Sequence, residues 1–274
     1  MTSRRPRRSA RGVAGAALIL AGLTGGALWT VAAAKMTTRQ GVNFQVSEKQ
    51  MPLYAKAIAF LHRDIQYRLL AREITAGVRG EPERVRAIFM WTRTHIQPTP
   101  KEWTVVDDHV LNIIIRGHGL GDQMADVFTT LTTYAGMPGF WRPGPVVFSF
   151  VRVEGRWAVF DVANGVSFTD GSGQFLDAEE LLRHPEHAQA IAGPGTPGGV
   201  PYRWHVERLG AFQVPEVLRA EQQMPWHRLV FEVRRALRLI LRSDARPAPS
   251  RSCRNQTSLT ANRGQEKPCQ DRRC

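Results

Sequence analysis

Gly119-Leu120-Gly121-Asp122-Gln123-Met124-Ala125-Asp126 opens the stretch whose reading decides the fold. Two glycines flank Leu120, so the chain turns there. From Asp122 to Ala135 no Gly or Pro interrupts, and the acid in the first turn sits where the helix dipole favours it. Gly136-Met137-Pro138 then ends the segment as a helix should end. The spacing predicts a helix over 122–135, entered through a glycine-rich turn.

Moving outward on the C-terminal side, the periodicity switches from helical to β. Val146 to Val153 is rich in β-branched and aromatic residues, Glu154-Gly155-Arg156 is a turn, and Trp157 to Val162 is a second strand. That is a hairpin signature. Asn164-Gly165 and Asp170-Gly171-Ser172-Gly173 mark further turns, and Asp177 to Leu182 reads as a capped helix. Residues 193–201 form a Gly/Pro loop. On the N-terminal side, Glu81-Pro82-Glu83 starts a helix over 83–96 with Val85, Ile88, Phe89 and either Trp91 or Ile96 on its apolar stripe. Gln97-Pro98-Thr99-Pro100 is a loop, and Val110 to Ile115 a short apolar run ending at Gly117-His118-Gly119. Residues 47–76 read as one long helix, with Met51, Tyr54, Ile58, Leu61, Ile65, Leu69 and Ile74 as its stripe. Helices followed by short strands argue for an α+β domain.

The chain has 274 residues, 43% hydrophobic and 22% charged, enough for one or two domains with a real core. Its net charge of +13 is concentrated at the ends. Residues 1–12 hold five Arg and no acid, and residues 242–274 hold eight Lys/Arg against three acids, which leaves 13–241 near balance. A basic nucleic-acid-binding face is therefore not expected. Cys253, Cys269 and Cys274 all lie in the last 22 residues. The body has no thiol for nucleophilic catalysis or zinc.

Arg4, Arg5, Arg7, Arg8 and Arg11 (basic N-terminus, 1–11) precede an uncharged stretch over 12–34. Its length suits one transmembrane helix, with the arginines in the cytoplasm and the domain on the periplasmic or extracellular side. Ala32-Ala33-Ala34 also fits a signal cleavage site, so secretion after cleavage near Ala34 stays open beside the anchor. The domain then occupies 40–205, a helical segment 206–242 and a polar, disordered tail 243–274. Within the helical segment, Pro225 to Arg242 is amphipathic, with Val230, Val233, Leu237 and Ile240 on one face and Arg228, Arg235, Arg238 and Arg242 off it. Docking on its own domain and contact with an anionic membrane surface are both open.

The turn 119–126, the helix after it, Gly136-Met137-Pro138 and the later Gly155-Arg156-Trp157…Asp161 together resemble the transglutaminase-like superfamily. The resemblance covers roughly residues 115–170, and the helix over 83–96 fits the family's preceding helix. It implies a papain-like α+β core with N-terminal helices and a small antiparallel sheet. It also implies a Cys–His–Asp site that forms an acyl-enzyme from an amide. In such a site a Cys at a helix N-terminus is activated by the dipole and a His, and an acid orients that His.

The decisive positions depart from the pattern. Gly121 stands at the nucleophile position, four residues before Ala125. The His position falls at Phe148 or Ser149, and no His occurs between His118 and His184. Asp161 matches the acid. The resemblance thus implies a domain without a competent Cys–His pair, acting as a non-catalytic binding or scaffold module. Its partners would be a peptide, a cell-wall component or another exported protein, with Gln123, Trp157 and His118 near the old cleft. The alternative is an amide-bond hydrolase or acyltransferase with a non-standard site at His118, Asp122 or Ser149. His184-Pro185-Glu186-His187 has two His three apart with a Pro between them, and a metal site there would need a further ligand nearby in space, so neither a metal nor a cofactor is expected.

Overall fold

The computed structural model describes residues 10–107, 109–193 and 199–243. In chain order the elements are α1 (Ala10–Ala33), β1 (Lys35–Val42), β2 (Gln45–Pro52), α2 (Leu53–Ile74), α3 (Glu81–His95), β3 (Gln97–Pro98), β4 (Val106–Asp107), α4 (Val110–Arg116) and β5 (His118–Gly119). They continue with α5 (Gly121–Tyr134), β6 (Gly139–Arg142), β7 (Phe148–Val153), β8 (Arg156–Asp161), β9 (Val166–Ser167), α6 (Ala178–Arg183), α7 (Pro185–Ala192), α8 (Tyr202–Glu207) and α9 (Pro225–Ser243). The chain divides into two units, Met1–Glu232 and Val233–Cys274. The tail expected over 243–274 lies outside the described residues except for Ser243.

The fold is mixed α+β, and its middle layer is the antiparallel sheet β6-β7-β8-β9. Side chains alternate across a strand, so the sheet has two buried faces. Val151, Val153, Ala158 and Phe160 enter one core with Val85 and Phe89 of α3 and Val127, Phe128 and Leu131 of α5. Phe148, Phe150 and Val159 enter the other, with Leu181 of α6, Ala188 of α7 and Tyr202 and Val206 of α8. Phe128, Phe148, Phe150 and Phe160 are fully buried; each contributes about 1.5–3 kcal/mol of transfer free energy. The β7–β8 turn takes positive φ at Glu154 and Gly155, which matches the twist of a two-residue hairpin.

The long helix expected over 47–76 is shorter than predicted. Residues 45–52 form β2, paired along its whole length with β1, and α2 starts at Leu53. Asn43 and Phe44 make the tight turn, both at positive φ. The face of α2 also differs. Asp64, Tyr67 and Ala71 are its buried residues, whereas Tyr54, Ile58, Leu61, Ile65 and Leu69 are exposed. Burying Asp64 is feasible because Arg68 donates to both its oxygens (2.9 and 3.1 Å) and the Tyr134 hydroxyl donates to one of them (2.9 Å).

A helix forms over the N-terminal apolar stretch, as α1. Among the described residues, however, no helix is long and apolar enough to cross a membrane. The transmembrane span expected over 12–34 is therefore not supported. Gly15, Gly22, Gly25 and Gly26 dilute the apolar content of α1. At its end, the Trp29 ring stacks on Tyr54 of α2 at 6.4 Å.

Candidate functional site

Gly121 is the first residue of α5, as the turn-to-helix reading requires. Leu120 stands at the N-cap and offers no side-chain acceptor, so only the reverse half of a capping box forms. The Leu120 N–H donates to Gln123 Oε1 (3.1 Å), and the Gln123 N–H donates to Asp122 Oδ1 (2.9 Å). Gln123 Nε2 donates to the Val106 carbonyl (2.7 Å), which ties α5 to β4. Gln123 is buried and both ends of its amide are engaged within the chain. Gly119 is tight here: a Cβ would lie 3.1 Å from Gln123 Cβ and 3.3 Å from Ile113 Cγ2.

The surroundings of Gly121 are apolar. A Cβ built there meets Ala163 Cβ at 3.5 Å and Val147 Cγ2 at 3.9 Å, both ordinary van der Waals distances. The hairpin residue facing Gly121 is thus Val147, one position before β7, and neither Phe148 nor Ser149 is among its near neighbours. Phe148 belongs to the core on the far face, against Phe168 and Tyr202. Ser149 points to the α5 face, by alternation with Val151 and Val153. It is fully buried, and its hydroxyl has no hydrogen-bond partner.

Asp161 closes β8 and is 0% exposed. It follows Phe160, which faces α5, so its carboxylate lies on the α8 face of the sheet. Three donors hold it there: the Asn164 N–H (3.1 Å), Asn164 Nδ2 (2.6 Å) and the Tyr202 hydroxyl (2.7 Å). Burial, and then the Asp161 charge, push the Tyr202 phenol far above its ordinary value. The sheet therefore separates the acid from the helix start that the resemblance would pair with it.

An imidazole that feels the charge of this acid comes from a residue the sequence reading did not single out. His205 lies one turn after Tyr202 on α8, at 6.3 Å between ring centroids, and is buried. Neither ring nitrogen makes a well-formed hydrogen bond. Desolvation lowers its pKa, against the opposing pull of the Asp161 charge and the Val200 backbone. The signal available in the sequence was Tyr202-x-x-His205, one face of a short helix.

The other expected residues are dispersed. His118 pairs in β5 with Gln97, makes an Nδ1 contact with the Arg116 carbonyl at 3.0 Å and packs on Trp103 at 4.8 Å. Trp157 is half-buried against Phe140 and Phe212 (5.3 and 6.1 Å). Among the described residues no group of His, Cys, Asp or Glu is arranged to hold a metal ion. A perturbed acid sits further along α5. Asp126 accepts from Trp141 Nε1 (2.7 Å) and pairs with Arg219 (2.8 Å). Burial raises its pKa, and the charges of Asp122 and Asp107 add to the rise while Arg219 and Trp141 oppose it.

A cleft of about 340 Å³ lies at the turn end of the β7–β8 hairpin, away from Asp161. Its walls carry Glu83, Arg86, Glu154 and Arg156, with Phe175 beneath the Arg86 guanidinium at 4.5 Å. Arg86 donates to the Gly173 carbonyl, and Arg156 reaches Gln174 at 3.4 Å. Both charge signs on an aromatic floor suit a ligand with a carboxylate and an amine.

No family model matches the chain, and no curated protein matches it. A solved structure of a "putative protease" from Parabacteroides distasonis is similar over 38% of this chain, at 15% identity and a TM-score of 0.28. The match spans about a quarter, 27%, of that chain.

Proposed function

We propose that the chain is a transglutaminase-like domain that has lost its Cys–His pair and works as a non-catalytic binding or scaffold module. One observation carries the reading: the first residue of α5 is a glycine against Ala163 and Val147, while Asp161 is turned to the opposite face and held by Asn164 and Tyr202. Acyl transfer needs a nucleophile, a base within hydrogen-bond reach and an orienting acid on one side of a cleft. Here the nucleophile position offers a hydrogen atom, the His position a buried Phe148 or Ser149, and the acid lies on the other face of the sheet.

Binding is supported better at the Arg86–Arg156 cleft than at the old nucleophile position, because the Gln123 amide is already engaged. Peptides, including those of a cell wall, carry the carboxylate and amine that this cleft complements. We read residues 1–34 as an export address that places the domain beyond the cytoplasmic membrane. Four arginines precede α1 and Arg11 lies in its first turn, while its Leu18, Ile19, Leu20, Leu23 and Leu28 are exposed. With a bilayer span not supported, cleavage near Ala34 is the form of this reading we retain.

The test is a calorimetric titration of the full chain with short cell-wall-type and ordinary peptides bearing free termini. Binding that Arg86→Ala or Arg156→Ala weakens about tenfold or more, at unchanged thermal midpoint, is the expected result. Peptide turnover, or binding indifferent to both substitutions, overturns the reading.

A further inference from the structure

Residues 226–238 of α9 carry two separate chemistries on one helix. Trp226, Leu229, Val233 and Leu237 recur at steps of three and four, which puts them on one face. They are 70%, 54%, 50% and 52% exposed. The same segment holds Arg228, Arg234, Arg235 and Arg238 against a single acid, Glu232, which is paired with Arg228 at 2.6 Å. At 100° per residue, Arg234, Arg235 and Arg238 fall on the flank adjoining the apolar face and behind it.

We propose that α9 is a membrane-surface helix, lying in the interfacial plane of a bilayer rich in anionic lipid. The apolar face enters the boundary between headgroups and acyl chains, with Trp226 at its N-terminal end. The arginines meet lipid phosphates. An exposed apolar face, a basic polar face and low net hydrophobicity distinguish such a helix from a bilayer-spanning one. Charge selects the occupant, since a second copy of α9 would bring its own arginines against these, whereas an anionic surface complements them. The inference is independent of the export reading of residues 1–34 and of the ligand cleft. If α1 is removed by cleavage, α9 still holds the domain at the membrane.

The test is co-sedimentation of the full chain with phosphatidylglycerol-containing vesicles and with purely phosphatidylcholine vesicles. Wild type is compared with Arg234→Gln/Arg235→Gln/Arg238→Gln and with Leu229→Glu/Val233→Glu. All three proteins carry Leu18→Glu/Leu20→Glu/Leu23→Glu in the exposed apolar surface of α1, so that vesicle binding by α1 does not mask binding by α9. Each interfacial Arg contributes about 1 kcal/mol. The arginine variant should therefore bind anionic vesicles on the order of 100-fold more weakly, with binding to neutral vesicles little changed. The glutamate variant should lose affinity for both. All of the changed residues are exposed, and an unaltered thermal midpoint checks folding. Equal binding by wild type and the arginine variant overturns the proposal. So does a wild-type dimer that the glutamate variant dissolves while vesicle binding persists, which would identify a second copy as the occupant.

Discussion

Tyr202→Phe removes one oxygen from the arrangement that holds Asp161. The Tyr202 hydroxyl donates to Asp161 Oδ2 at 2.7 Å, and both residues are buried. The ring keeps its packing against Phe148 and Phe168 because phenylalanine has the same aromatic body. No cavity term enters beyond the hydroxyl itself. A hydrogen bond to a charged group contributes about 1.5–3 kcal/mol. Asn164 still supplies two donors, so Asp161 is not orphaned and the lower part of that range applies, about 2 kcal/mol. For a unit of this length each kcal/mol moves the thermal midpoint by roughly 2–4 °C, giving a fall of about 4–8 °C. Urea denaturation followed by fluorescence should show a lower midpoint with an unchanged slope. A loss under about 0.5 kcal/mol would refute the reasoning. It would mean that the acid is not locked on the α8 face and is available for other work.

Three further outcomes follow from the same geometry. Ser149→Ala removes a buried hydroxyl that has no partner; thermal denaturation should show neutral to modestly higher stability, by up to about 1 kcal/mol, where a hydrogen-bonded serine would show a loss. Gly121→Ala should stabilise by about 0.5–1 kcal/mol, since the new Cβ meets only ordinary contacts and the residue is helical; a destabilised variant would show that this position is crowded. His205 is depressed below its ordinary value of 6.5 by burial, so the folded state binds fewer protons than the unfolded one. Its contribution is present above pH 6.5 and is lost as pH falls below it. The stability of wild type relative to His205→Phe should therefore drop on acidification from pH 7 to 5, measured by denaturant titration, and a flat difference would contradict the placement.

Much of the sheet and its flanking helices was legible in the sequence. Glycine punctuation and a Gly-Met-Pro stop bounded α5, and the β-branched run around Glu154-Gly155 gave β7 and β8. What hid was what periodicity does not encode. The stripe from Tyr54 to Leu69 has the same spacing whether it faces a core or solvent. It faces outward because Asp64 and Tyr67, on the other side of α2, make the contacts with Tyr134 and α4, with Ala71 buried on the same side. The β1–β2 hairpin escaped because its strands are polar on both faces and its turn is Asn43-Phe44 rather than a glycine pair. The separation of Gly121 from Asp161 was legible in part, since strand alternation puts Asp161 opposite to Phe160. His205 comes from a short helix 44 residues beyond Asp161 in sequence, where no local pattern connects the two.

The most direct measurement of the central claim is turnover by the purified full chain on amide substrates, with water or a primary amine as acceptor. The account predicts no product above a heat-unfolded control, with Ser149→Ala, His118→Ala and His205→Ala indistinguishable from wild type. Product formation that any one of these substitutions abolishes, while the thermal midpoint stays unchanged, would contradict it.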